Sequence, residues 1–202
     1  MRKIKGFHLK PGEAEVFRRL KKRSSPASFS EEEVRQALTG EISKWVPALL
    51  YDSFPAGQDN PKLAGPPISL PALPRVPRSL EGLSPLPELP FTVGVVTLGA
   101  FAPETDETVL RIIRETALNE AVRFALKIVS EEAAQEQCDL SPVQYLSDSG
   151  SIQTLVESLD CSRIGVCWKP ESGWSPAYTR AFAVSWIHSS RSSLKSSSES
   201  ER

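Results

Sequence analysis

A long unbroken apolar periodicity limits what this chain can fold into more than any other feature. From about Asp106 to Gln135, apolar residues recur at Val109, Leu110, Ile113, Leu118, Ala121, Val122, Ala125, Leu126, Ile128 and Val129, with no interior glycine or proline. Steps of three and four residues gather these side chains on one broad stripe of an α-helix. A helix with such a stripe must lie against an apolar surface, and the residues before it offer one. Phe91-Thr-Val-Gly-Val-Val-Thr-Leu98 is β-branched and almost continuously apolar, which is the pattern of a buried strand, and Gly99 ends it.

Beyond the long helix, Ser149 or Ser151 can cap a further helix carrying Ile152, Leu155, Val156 and Leu159. Arg163 to Lys169 then alternates, with Ile164, Val166 and Trp168 on one face. Tyr178 to Ile187 alternates again, Tyr178, Phe182, Val184 and Trp186 opposing Ala181, Ala183, Ser185 and Ile187. The Pro170 to Pro176 loop joins the two runs as an expected hairpin. From Ser189 onward the serine-rich, charged tail lacks the apolar content to fold.

Upstream, Gly12 to Arg23 reads as a short helix with Glu13 and Glu15 at its positive end and basic residues at its negative end. The run Arg18-Arg-Leu-Lys-Lys-Arg23 suits a solvated helix end, with a phosphate or nucleic-acid contact as the alternative. Ser30 and Glu33 form a capping box that starts a second helix bearing Val34, Ala37, Leu38 and Ile42 on one face, with Trp45 and Val46 near its end. Pro47 stops it. Ten of the 17 prolines fall between Pro55 and Pro90, so no helix survives there. The leucines at 70, 73, 80, 83, 86 and 89 suggest an extended strap laid over a core; a Pro-x-x-Pro ligand is the alternative.

The expected class is α+β, one antiparallel sheet covered by the long central helix and flanking helices. The organisation is an N-terminal helical part (1–54), a Pro-rich strap or linker (55–90), an α+β core (91–188) and a tail (189–202).

The chemistry is narrowed mainly by exclusion. Lys and Arg number 24 against 25 Asp and Glu, a net charge of −1, which removes the broad basic field of a general nucleic-acid binder. No run of about 18 apolar residues appears, and the basic start is not followed by a secretory apolar stretch, so a cytoplasmic protein is expected. Cys138, Cys161 and Cys167 are too widely spaced for a Cys-x-x-Cys pair and read as reduced thiols. His8 and His188 lie near opposite ends, so no metal site is expected. No nucleophile elbow, Walker-type loop or Gly-x-Gly-x-x-Gly turn occurs, and no side chain is assigned a catalytic role. Glu171, Asp148 and Cys167 are the thin basis for an enzyme of another class, since such residues serve more often as loop caps and a packed thiol. Trp168, Trp174 and Trp186, with Tyr178 and Phe182, form either core or a platform for a flat ligand.

The ordered pieces from Phe91 to His188 resemble the activation domain of cobalamin-dependent methionine synthase and its stand-alone relatives. Thr97-Leu-Gly99, the helix from Asp106, Ser141-Pro142, Gln153 with Leu155 and Leu159, Ile164-Gly165-Val166 and Pro176-Ala-Tyr-Thr179 stand where that family has corresponding motifs. The resemblance implies a domain that binds S-adenosylmethionine and presents it to an oxidised cobalamin held by a corrinoid methyltransferase partner, so that reduction by a flavodoxin-type donor followed by methyl transfer restores methylcobalamin. By position, it implies ligand contacts at Asp139, Ser141, Pro142, Val143, Gln144, Tyr145, Glu171 and Tyr178. The sequence departs from the family in that loop. Asp139 stands where the family has a carboxylate-pairing arginine, Val143 and Gln144 where it has Gly-Tyr, and Lys169-Pro-Glu-Ser172 where it has Thr-Glu-Ser. Asp139 is expected to repel a ligand carboxylate, so an interaction or scaffold protein that keeps the fold without the ligand is the alternative.

Overall fold

Residues 1–23, 29–55, 82–86, 89–100 and 107–189 are described by the computed structural model. Their elements run β1 (Arg2–Lys5), α1 (Glu13–Arg23), α2 (Glu31–Ile42), β2 (Ala48–Phe54), β3 (Phe91–Thr97), α3 (Thr108–Gln135), β4 (Cys138–Leu140), β5 (Gln144–Leu146), α4 (Ser149–Leu159), β6 (Cys167–Lys169), β7 (Gly173–Ser175) and β8 (Thr179–His188). A 3-10 turn at Cys161–Ile164 links α4 to β6. The chain is α+β.

The main sheet is antiparallel in the order β1-β2-β3-β8-β4, with β5 pairing β8 further along the edge that β4 occupies. β8 divides its side chains as its alternation predicts. Tyr178, just before the strand, and Phe182, Val184 and Trp186 enter one core cluster, while Ala181 and Ala183 enter the other. Gly94 lies opposite Phe182, and a Cβ there would sit 2.6 Å from Cζ of that ring. Only a glycine lets the ring lie flat over β3.

Both faces of the sheet are covered. α1, α2 and α3 pack on the face carrying Leu49, Tyr51, Val96 and Phe182. α4, the 3-10 turn and Leu83 cover the face carrying Leu50, Val93, Val95 and Ala181. β3 is buried at every position, and a strand without a solvent face needs a layer on each side.

The N-terminal part is more than helical. β1 and β2 join the core sheet, so 1–54 and 91–188 share one sheet. Asp52 and Ser53 broke the apolar pattern of β2, and β1 is a charged edge strand, the composition that blunts an edge. The capping box of α2 forms as expected, with the Glu33 N–H donating to Ser30 Oγ at 3.1 Å and the Ser30 N–H to the Glu33 carboxylate at 2.9 Å. α2 ends at Ile42, short of Pro47: the Lys44 and Trp45 N–H groups reach back only three residues, to the Glu41 and Ile42 carbonyls, and the Val46 N–H goes to the Leu98 carbonyl at 3.1 Å.

Three further expectations are corrected. The cap of α4 is Asp148, not Ser149 or Ser151: its carboxylate accepts from the Ser151 N–H at 2.7 Å. The Ile164 to Trp168 stretch becomes a strand only at Cys167, since Gly165, at φ +72°, closes the 3-10 turn. The expected hairpin with β8 does not form. Both edges of β8 are taken by β3 and by β4 with β5, so β6 pairs instead with β7 in a small separate sheet.

Of the strap, 56–81, 87 and 88, with Leu70, Leu73 and Leu80, lie outside the described residues, as does the tail from 190 and the proposed helix start at Asp106. The described end of the strap does lie on the core. Leu83 is buried beside the Phe54–Phe91 pair's cluster, and the Leu86 N–H donates to Ser185 Oγ at 3.0 Å.

Candidate functional site

Three residues of the β4–β5 segment, Ser141 to Val143, face two of β8 between the pairs Leu140↔Trp186 and Gln144↔Ala183. This is a β-bulge, a device that re-aims side chains at a sheet edge. Ser141 stitches the bulge in place. Its N–H donates to the Ser185 carbonyl at 2.9 Å, and its Oγ accepts from the Ser185 N–H at 2.9 Å. Pro142, with no N–H to leave unpaired, sits exposed at the turn. No other strand among the described residues pairs with the outer edge of β5.

Directly paired residues share a face of the sheet, so Tyr145, opposite Phe182, points to the α3 side. There the guanidinium of Arg180 lies 5.0 Å from the centre of its ring. Arg180 also donates from Nη1 to Asn119 Oδ1 of α3 at 2.5 Å. One of five guanidinium donors is thereby committed, and the planar fork remains suited to a carboxylate or phosphate. Tyr145 is 46% exposed, so its ring and hydroxyl are open to a ligand.

The eight residues singled out in the sequence are thus not one cluster. Ser141, Pro142, Val143, Gln144 and Tyr145 form the bulged edge. Asp139 pairs with Ile187 and projects to the α4 side, the face opposite Tyr145 and Arg180. Glu171 is exposed in the turn of the separate β6–β7 hairpin. Tyr178 is buried under Arg114, whose guanidinium is 5.5 Å from its ring centre. At about 3.3 Å per residue, Tyr178 and the partner of Asp139 stand about 30 Å apart along β8. The tryptophans divide likewise. Trp168 and Trp174 meet edge to face at 5.2 Å across the small hairpin. Trp186 is buried in the α3-side core and donates from its indole to Thr92 Oγ1 at 2.9 Å, so the five aromatics make no common platform.

Sequence reasoning missed Arg180 and Asn119. The available signal was a charge at position 180, in the middle of the apolar register Tyr178, Phe182, Val184 and Trp186. The same signal marks Arg114 and Glu41, each a charge within an apolar helix face, which meet between α2 and α3 at 2.5 Å. Burial pushes the Glu41 carboxyl up, but hydrogen bonds from Arg114 and Lys44 outweigh it and hold Glu41 below the ordinary value. With Lys44 on Glu41 and the Tyr178 ring beside Arg114, that pair ties α2, α3 and the start of β8 together and serves the fold.

The remaining candidates for chemistry have structural duties or stand alone. Asp148 is the α4 cap, and hydrogen bonding to Ser151 lowers its pKa. Cys161 is buried, and burial pushes its thiol up to about 12. Cys167 is exposed and free. Among the described residues, no group of three or more His, Cys, Asp or Glu is placed to hold a metal ion, and no helix is long and apolar enough to cross a membrane. No family model matches the chain, and no curated protein matches it.

Proposed function

We propose that the chain is an accessory domain of the methionine synthase activation type, which binds S-adenosylmethionine and presents it to cobalamin carried by a cytoplasmic corrinoid methyltransferase. The ordered resemblance from Thr97 to Thr179 supports this reading, and the three free thiols suit a reducing compartment. The observation that carries it is the Arg180–Asn119–Tyr145 patch beside the Ser141–Pro142 bulge. A guanidinium with uncommitted donors, an exposed ring and an open strand edge fit an amino-acid carboxylate joined to a larger flat body. Asp139, on the other face, is no obstacle to that carboxylate.

When bound, S-adenosylmethionine would supply the methyl group, leaving as S-adenosylhomocysteine, to partner-held cobalamin already reduced by a flavodoxin-type donor; the residues of this chain bind and orient. Arg180 holds the carboxylate, Asn119 fixes the guanidinium, and Tyr145 offers a contact face. No side-chain nucleophile is needed, in keeping with the chemistry the residues offer. The test is isothermal titration with S-adenosylmethionine and, separately, with hydroxocobalamin or a cobalamin-loaded partner domain. Saturable binding of S-adenosylmethionine supports the reading, and absence of binding to all of them removes it.

One observation favours the scaffold alternative. Val143 packs its side chain against the α3-side core where the family has a glycine that lets backbone approach the ligand. Because position 139 faces away from the patch, a V143G variant separates the two readings. Binding gained only in the variant favours the scaffold, and equal binding in both proteins counts against it.

A further inference from the structure

On the solvent-facing side of α3, the loop after β1 and the helix border an open cleft of about 370 Å³. Its floor is apolar. Leu9 is 6% exposed, and Phe124 is held by a parallel stack on Phe7, with ring centres 4.2 Å apart and planes 10° apart. Its rim is cationic, carrying Lys10, Arg123 and Lys127 together with His8. Among the described residues the one acid lining it, Glu120, is already paired with Arg123 at 2.6 Å. Among the described residues, the ion-pair partner of Lys127 is the distant Glu131 at 4.0 Å, on the exposed helix surface. In a chain whose charges sum to −1, this rim is a local excess of positive charge above an apolar seat.

We propose that this cleft binds a small organic phosphate, its anionic group held by Lys10 and Lys127 and its flat or apolar body resting on Leu9 and Phe124. The volume lies in the range of small-molecule sites, about 300–1,000 Å³. A macromolecular polyanion would call for a wider basic field than a near-neutral chain provides. The site is distinct from the Tyr145–Arg180 patch, because its aromatic seat, Phe124, lies about 140° around the helix from Asn119, and Lys127 lies about 12 Å further along it.

The experiment is titration of the full chain with 1-naphthyl phosphate, inorganic pyrophosphate and a hexaglutamate peptide, repeated at raised salt and with the K10E/K127E variant. Both lysines are exposed, so the variant is expected to melt with the parent, and K169E on the small hairpin serves as a charge control. The expected result is saturable binding of 1-naphthyl phosphate, tighter than pyrophosphate, and weakened about tenfold or more by K10E/K127E but not by K169E. Failure of both phosphates to saturate overturns the proposal, as does binding that K10E/K127E leaves unchanged. Saturation by hexaglutamate alone also overturns it and assigns the cleft to an acidic protein segment.

Discussion

Arg114 donates from Nε to a carboxylate oxygen of Glu41 at 2.5 Å, with the two side chains 5% and 1% exposed. Lys44 reaches the other oxygen at 2.9 Å from a solvated position. Two buried charges are tolerable only as partners. R114M or E41Q alone is expected to lower stability by about 3–5 kcal/mol, whereas the double variant E41L/R114M loses far less. Urea unfolding of the three variants measures this, and equal losses in single and double variants would contradict it.

The same pair sets an acid limit. Because the folded-state pKa of Glu41 is lowered, its contribution is complete above the ordinary carboxylate value of 4.5 and is lost as pH falls below that value. Glu33 and Asp148, lowered by hydrogen bonds to Ser30 and Ser151, act in the same direction. Stability is therefore expected to decline from about pH 4.5 downward, less steeply in E41Q; melting temperatures between pH 3 and pH 7 would show it.

Gly94→Ala tests the seat beneath Phe182. The added methyl would lie 2.6 and 2.8 Å from two ring carbons and 3.0 Å from Tyr51 Cβ, inside a core where Phe182 has no exposed area. Overpacking of this kind costs about 1–3 kcal/mol. A melting temperature equal to that of the parent would mean that the ring has room to move.

If Arg180 holds the ligand carboxylate, Arg180→Ala weakens S-adenosylmethionine binding about tenfold or more, since a hydrogen bond to a charged group is worth about 1.5–3 kcal/mol. Arg180→Lys is expected to recover part of it, because a point charge replaces a fork. Calorimetric titration of both variants, with far-UV circular dichroism as the check on folding, decides the point.

The thiols should sort by exposure. Cys167 is expected to alkylate readily in the native state, while Cys138 and Cys161, both buried and raised by burial, react only on unfolding. Mass spectrometry after iodoacetamide treatment should find one labelled site in the native protein. Three native sites would show that the core opens readily.

Periodicity made α1, α3, β3 and the two faces of β8 legible, because in each the apolar spacing is set by a core that decides burial. What escaped is the strand pairing. Ala48–Phe54 carries Asp52, and Arg2–Lys5 is almost wholly polar, so their strand character comes from hydrogen bonds to neighbours distant in sequence. The hairpin was misjudged for the same reason, since nothing local says that the edges of β8 are already taken. The bulge residues Ser141 to Tyr145 stood out as a loop motif, while Arg180 and Asn119, 61 residues apart, become neighbours only when β8 and α3 pack.

The position of β8 also bears on how the chain reaches this structure. It pairs on both edges, yet it follows every other described element in sequence; its Trp186 meets Thr92 of β3 across 94 residues. Until β8 is synthesised, β3 keeps an unpaired apolar edge and β4 and β5 have no strand to join. Sheet closure is therefore a late, long-range event, which predicts slow folding and makes the interval before β8 emerges the period of greatest exposure to aggregation.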